Sequence, residues 1–230
     1  MIASMHIAKV GPRAALPLLA RPPRAGRVPG LTYAETLTTA PLGEPLLPPR
    51  GLRHVGLLAA WEDDAALDAF LADDPRAARL AGGWHVRLEP LRVSGAWAGM
   101  PGLPDRPLPV DDGEPVAILT LGRLRLRRTG PFRRSAAPAE ASAIASPALV
   151  AGTGLARPPH LVATFSLWRS AAEMRAYAYG AGEAHVAAVA AHRAEPFHHE
   201  AAFVRFRPYA ARGSWDGREP LAEATAAPAV

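Results

Sequence analysis

The chain contains no cysteine. That absence removes disulfides, iron–sulfur clusters, zinc–thiolate sites, thiol nucleophiles and thiolate-ligated haem together. Any metal must therefore be held by His, carboxylate or Tyr. Lysine is nearly missing as well: Lys9 is the single one, and every other basic side chain is Arg. The net charge of +5 and the pI near 10.3 thus belong to a chain rich in Arg, Ala, Pro and Gly. No apolar run is long enough to span a bilayer. Lys9 and Arg13 leave no room between them for a signal-peptide core. The expected location is the cytoplasm, with at most peripheral membrane contact. Arg123, Arg125 and Arg127 fall on a predicted strand and would share one face. That face reads as solvated, with an anion site for propionates or acidic lipid headgroups as the functional alternative. Aromatic residues do not interleave with the arginines as a base-stacking platform requires, so no nucleic-acid partner is expected.

The 230 residues, 49% of them hydrophobic, can build one large domain or two small ones. A long internal repeat decides how. Gly56–Trp61 is an apolar strand ending in Trp, with Leu67 and Phe70 six and nine residues beyond it. Ala163–Trp168 repeats this, with Met174 and Tyr177 at the same offsets. Each copy closes on a Gly-x-Trp-x-Gly turn, around Trp97 and around Trp215. The strand-end tryptophans are 107 residues apart and the closing tryptophans 118, so the second copy holds 11 additional residues between them. That is about three helical turns. A repeat of this length is a duplicated domain, not a solenoid unit.

Periodicity places strands at residues 1–10, 31–39, 54–61, 84–97, 116–127, 148–156, 160–168 and 198–208. Helices are expected at 11–27, 63–80 and 131–146, and from Ser170 through a bend at Gly180 and Gly182 to Arg193. Each copy then reads β-α-β-β-α-β, the ferredoxin-like order. The predicted class is α+β, with duplicated ferredoxin-like units forming an intramolecular α/β barrel of the dimeric α/β-barrel type. Repeat 1 covers 1–97, a Pro/Gly-rich linker 98–115, repeat 2 with its inserted helix 116–221, and a loose tail 222–230. One chain supplying both sheets implies a monomer, and the space between the sheets is the natural ligand cavity.

Five of the eight histidines lie in the second copy. In the inserted helix, Met174, Ala178, Ala181, His185, Val189 and His192 share one broad face. His185 has two readings: a core histidine bonded to a backbone carbonyl, or an axial ligand to haem. Zinc is a poor rival, because His185 and His192 are about 10.5 Å apart along a helix. A non-haem iron site is a better one. His198 and Glu200 would lie on one face of a strand and need a third ligand such as His160 or His54. Gly152 and Gly154 do not make a dinucleotide loop, since Pro158 and Pro159 block the helix that must follow.

The segment Ala163–Ser170, then Met174, Tyr177, Tyr179, His185 and Arg193, resembles the spheroidene monooxygenase family. Phe197, Glu200, Phe203, Arg205-Phe206 and Gly213-Ser214-Trp215 belong to the same resemblance, which is densest from His160 to Leu221. These are bacterial carotenoid ketolases that oxidise a methylene of an acyclic carotenoid. The resemblance implies haem as cofactor, its iron held by the histidine that falls on His185. At Pro196–Glu200 the chain departs from the family pattern, which has Trp-Phe followed by an acidic pair. The implied function is a haem-dependent monooxygenase-like enzyme oxidising an apolar small molecule, a carotenoid or specialised metabolite, with an electron donor or peroxide as co-reactant. Metal ligation falls to His185, cofactor contact to Trp168, Tyr177 and Phe197, and catalytic polar contact to Arg193 and His192, with Arg169 as a further donor. The alternatives are a non-catalytic haem- or lipid-binding protein and a non-haem iron oxygenase using His198 and Glu200.

Overall fold

Alternation extends the chain at Ile2–Lys9 (β1): Ala3, Met5 and Ile7 face one way, and Ser4, His6 and Ala8 the other. A computed structural model of the chain describes residues 1–44, 53–181 and 196–226. After β1 come α1 (Pro12–Ala20), β2 (Leu31–Pro41), β3 (His54–Trp61), α2 (Asp64–Asp73), α3 (Pro75–Leu80) and β4 (Trp84–Gly95). The second unit holds β5 (Val116–Leu124), α4 (Thr129–Ile144), β6 (Leu149–Arg157), β7 (Leu161–Trp168), α5 (Ala171–Ala176), β8 (His198–Gly213) and α6 (Pro220–Thr225). A π-helical turn, Tyr177–Ala181, follows α5.

All eight strands close into one antiparallel barrel in the order β1-β3-β2-β6-β7-β5-β8-β4. Each unit contributes the ferredoxin-like order 4-1-3-2, and the units join along β2–β6 and β4–β8. The duplication extends to the irregularities. Trp61 pairs with Ile2 and Leu31, and Trp168 pairs with Val116 and Leu149, each at the same strand ends. A bulge follows Leu31 in β2 and another follows Leu149 in β6. Along the β4–β8 seam Leu88 faces Pro208 while Pro90 faces Phe206, and Glu89 faces Arg207 between them. The seam therefore straddles a pseudo-twofold axis that relates position 88 to 206 and 87 to 205.

Three apolar layers result. Met5, Leu58, Trp84, Leu119, Phe165 and Phe206 help to fill the barrel interior. Trp61, Leu67 and Phe70 pack α2 onto the outside of the first unit, and Trp168, Ala171 and Met174 pack α5 onto the second. The helix periodicity read from the sequence thus marks the two outer layers. Among the described residues the interior is filled by side chains, as eight strands allow. The expected open cavity between the sheets is corrected accordingly.

Other boundaries also shift. Asp63 caps α2, but Asp74 and Pro75 divide the expected 63–80 helix, since Pro75 cannot donate and instead opens α3 under an Asp74 cap. β5 stops at Leu124, and Leu126–Arg128 turn as a 3-10 helix, so Arg127 does not extend a strand face with Arg123. The expected loose tail from residue 222 begins inside α6, whose Ala224 is buried against the barrel.

Beneath α2 the indole N–H of Trp61 donates to Ser4 Oγ at 2.9 Å, and Ser4 Oγ lies 3.1 Å from His6 Nε2. The serine hydroxyl, one donor and two lone pairs, thus links the indole to the imidazole in one buried chain. His6 is buried, stacked on His85 at 5.1 Å, and its pKa is lowered to about 3 by burial and then by His85.

An unfolded imidazole protonates near 6.5, whereas folded His6 resists until about 3. The unfolded chain binds more protons in that window, so stability should fall as pH drops, by up to about 1.4 kcal/mol per unit. Denaturation midpoints between pH 7 and 4.5 should show this slope, and His6→Gln should flatten it. Equal slopes would mean a solvated imidazole. Trp168, buried at the position equivalent to Trp61, should cost about 3–5 kcal/mol on truncation to Ala. A loss below about 1 kcal/mol in urea unfolding would contradict the shared register.

Candidate functional site

Both mouths of the barrel are closed by their own turns. At one, Tyr33 faces inward from β2 and its hydroxyl accepts the Trp97 indole N–H at 2.8 Å. Burial, then Glu35, pushes the Tyr33 pKa up and keeps the phenol neutral. The Arg123 guanidinium lies 4.7 Å over the Trp97 ring and binds Glu200 at 2.8 Å, while Glu200 also accepts the Ala98 N–H. Glu35 and Arg157 pair beside them at 2.6 Å. An open cleft of about 310 Å³ adjoins this mouth, bounded by Pro22, Pro23, Tyr33, Gly99 and Arg157. At the other mouth Trp215 packs on Trp84 at 5.6 Å, and Leu221 and Ala224 of α6 join the interior cluster. These networks close the barrel and leave its interior apolar.

His185, His192 and Arg193 lie outside the described residues. Trp168 and Tyr177 stack at 4.8 Å in the layer between sheet and helices, and the Tyr177 hydroxyl donates to the Ala139 carbonyl at 2.8 Å. They repeat the pairing of Trp61 with Phe70, whose rings are 5.0 Å apart. Phe197 is buried 6.2 Å from Phe132 of α4. Arg169 donates to the Glu223 carbonyl and so anchors α6.

His198 and Glu200 do not share a face. The β5–β8 register shifts between the pair Arg123–Glu200 and the pair Leu124–His198, leaving His199 as an extra residue. Glu200 consequently turns to the mouth. The His198 ring lies over Gly122, where a Cβ would come within 2.4 Å of it, and 5.3 Å from Phe132. Among the described residues no three His, Asp or Glu side chains are grouped to hold a metal. The expected His-x-Glu set fails because a bulge reverses the alternation on which it was read.

The units diverge on the outer face of β5 and β8. In the first unit the matching face is sealed: His6 pairs with His85 across β1 and β4, and Phe70 meets His6 edge-on at 6.3 Å. In the second, Thr120 pairs with Phe203 at the same place, and Phe203 is 41% exposed. Tyr179, on the π-helical turn, is 72% exposed. Arg205 lies two residues from Phe203, half-buried, its Nε without a hydrogen-bond partner among the described residues. This open aromatic surface, with a half-buried guanidinium that no carboxylate pairs among the described residues, is the candidate functional site. Phe203 and Arg205 were legible only as part of a family resemblance, since on a lone strand an outward Phe and Arg look like ordinary surface.

The fold has counterparts among solved structures. The chain superposes on an aldoxime dehydratase crystal structure with a TM-score of 0.56 at 11% identity, covering 99% of this chain and 88% of that one. A second aldoxime dehydratase, solved with butyraldoxime, gives 0.56 at 8% identity over 90% and 79%. Both share the α+β barrel built from ferredoxin-like units, a likeness of fold alone. No family model matches the chain. It is, however, 36% identical over 197 residues to the spheroidene monooxygenase of Rubrivivax gelatinosus, covering 83% of this chain and 73% of that protein. The Rhodobacter capsulatus protein of the same name is 30% identical over 187 residues, 78% and 77% of the two chains. The chain belongs to the spheroidene monooxygenase family and is an enzyme of the oxidoreductase class. No helix among the described residues is long and apolar enough to cross a membrane.

Glu200→Ala should lower stability by about 1 kcal/mol, a partly exposed pair being worth little more. Urea midpoints and iron content report the two roles separately. A variant of undiminished stability that loses bound metal would return Glu200 to a ligand set.

Proposed function

We propose that the protein is a haem-dependent monooxygenase acting on an apolar small molecule of the carotenoid type. Membership of the family over 83% of the chain carries the reading. The asymmetry between the units supports it. The second copy alone carries the 11-residue insertion in its sequence, and it is also the copy in which the residues that seal the outer face of the first are replaced.

The residues fit the group. Phe203, Tyr179 and partly buried Ile118 offer apolar surface to a flat macrocycle, and Arg205 offers an unmatched cation. His185 would hold the iron through a neutral imidazole, with Trp168, Tyr177 and Phe197 fixing the elements around it. When bound, the haem would supply oxidation of an unactivated carbon, chemistry beyond any side chain present. His192 and Arg193 would contribute hydrogen bonds over the reacting centre. The apolar walls would orient the substrate and exclude water. The enzyme is read as a cytoplasmic monomer, and closure of the barrel within one chain, which leaves no free edge among the described strands, supports the monomer.

His185→Ala should abolish or strongly weaken haem uptake, read as loss of the Soret band, while the circular dichroism of the barrel stays unchanged. Added imidazole should restore part of the band. His198→Ala should bind haem as the parent does. If His198→Ala and Glu200→Ala remove metal while His185→Ala keeps it, the site is a non-haem centre.

A further inference from the structure

The duplication supplies an internal control for Arg205. The pseudo-twofold axis sets Arg87 of β4 and Arg205 of β8 at equivalent positions, because Arg87 pairs with Ala210 and Arg92 with Arg205. Both point to the helix-covered side of their sheet. Equivalence also holds for the helices above them. Asp63 and Ser170 cap α2 and α5, each two residues after its tryptophan, and accept from Ala66 N and Glu173 N. The first helix therefore places Asp64 and Asp68 where the second places Ala171 and Arg175.

The consequence is opposite electrostatics at one structural position. Arg87 is bound by both Asp64 and Asp68. Arg205 has lost both carboxylates, faces an Ala and an Arg instead, and has Arg92 across the strand pair. Arg175 is itself bound to Asp112, whereas no hydrogen bond satisfies the buried Nε of Arg205. Burial, with Arg92 and Arg175 nearby, pushes the Arg205 pKa down, though Tyr179 opposes the shift. A half-buried guanidinium without an anion is costly, and a ligand carrying negative charge would offset that cost. The neighbouring surface is apolar, with Phe203 exposed and Ile118 opposite Arg205 on β5. Apolar body and carboxylate are thus accommodated side by side.

We propose that Arg205, with Arg92 and Arg175 around it, is the anion-binding end of this face and takes a side-chain carboxylate of the porphyrin. This rests on the haem reading of the site. In the first unit the protein supplies the carboxylates; in the second the ligand does. The guanidinium fork matches a carboxylate in two parallel hydrogen bonds.

The test compares haemin with haemin dimethyl ester, which keeps the ring and iron but removes both negative charges. Soret titrations use the unaltered chain, Arg205→Met and Arg205→Lys. The unaltered chain should prefer haemin to the diester by about tenfold or more, the scale of one charge-assisted hydrogen bond. Arg205→Met should lose that preference through weaker haemin binding alone, and Arg205→Lys should keep part of it. Thermal melts separate this from a structural role. Arg205→Met should melt no lower than the parent, because it removes an unmatched charge, while Arg87→Met should melt lower by stranding Asp64 and Asp68. Equal haemin affinity in parent and Arg205→Met overturns the assignment while leaving the haem reading intact. So does a loss shared equally by haemin and diester with a lowered melting point. Failure of the unaltered chain to bind either porphyrin overturns both.

Discussion

Antiparallel pairing of β4 with β8, with Glu89 opposite Arg207 on the pseudo-twofold axis, turns two open sheets into one closed barrel. Each ferredoxin-like unit has an apolar sheet face that cannot stand in water alone. Facing the second sheet buries it, and the seams β4–β8 and β2–β6 remove the edges that would remain. Closure at eight strands also fixes the diameter, so the interior fills with Trp84, Phe165 and Phe206 and holds side chains. With the inside committed to packing, the surface that differs between the two units lies on the outer faces, where helices meet sheet.

Those faces show what duplication permits. The first unit closes its face with a buried His6–Ser4–Trp61 chain and an Arg87 held by two aspartates. The second keeps the tryptophan, the helix cap and the arginine but replaces the parts that sealed the surface. Thr120 stands for His6, Phe203 for His85, and Arg175 for Asp68. One copy can keep its outer face sealed while the other leaves it open, because the shared barrel supports both.

Much of the architecture was legible because it rests on local patterns. Trp61 with Leu67 and Phe70, and Trp168 with Met174 and Tyr177, announce a strand end followed by a packed helix. Asp63 and Ser170 cap those helices as their side chains dictate. The site was less legible. His198 and Glu200 were separated by a bulge at His199 that no alternation rule contains, and Arg127 was turned off its strand by a 3-10 turn. Trp168 and Tyr177, read as cofactor neighbours, stand in the same packing layer as Trp61 and Phe70.

The sequence by itself determined the duplication, the order of strands and helices, and which residues form each apolar face. Those follow from periodicity and capping, which act within a few residues. Only the tertiary structure decided that the barrel interior is full and that both mouths are plugged by their closing turns. It alone decided that Arg87 and Arg205 share a position with opposite surroundings. Such outcomes depend on groups far apart in the chain, Asp64 with Arg87 and Trp97 with Arg123. Their meeting is set by the register of a closed sheet, and no local pattern records it.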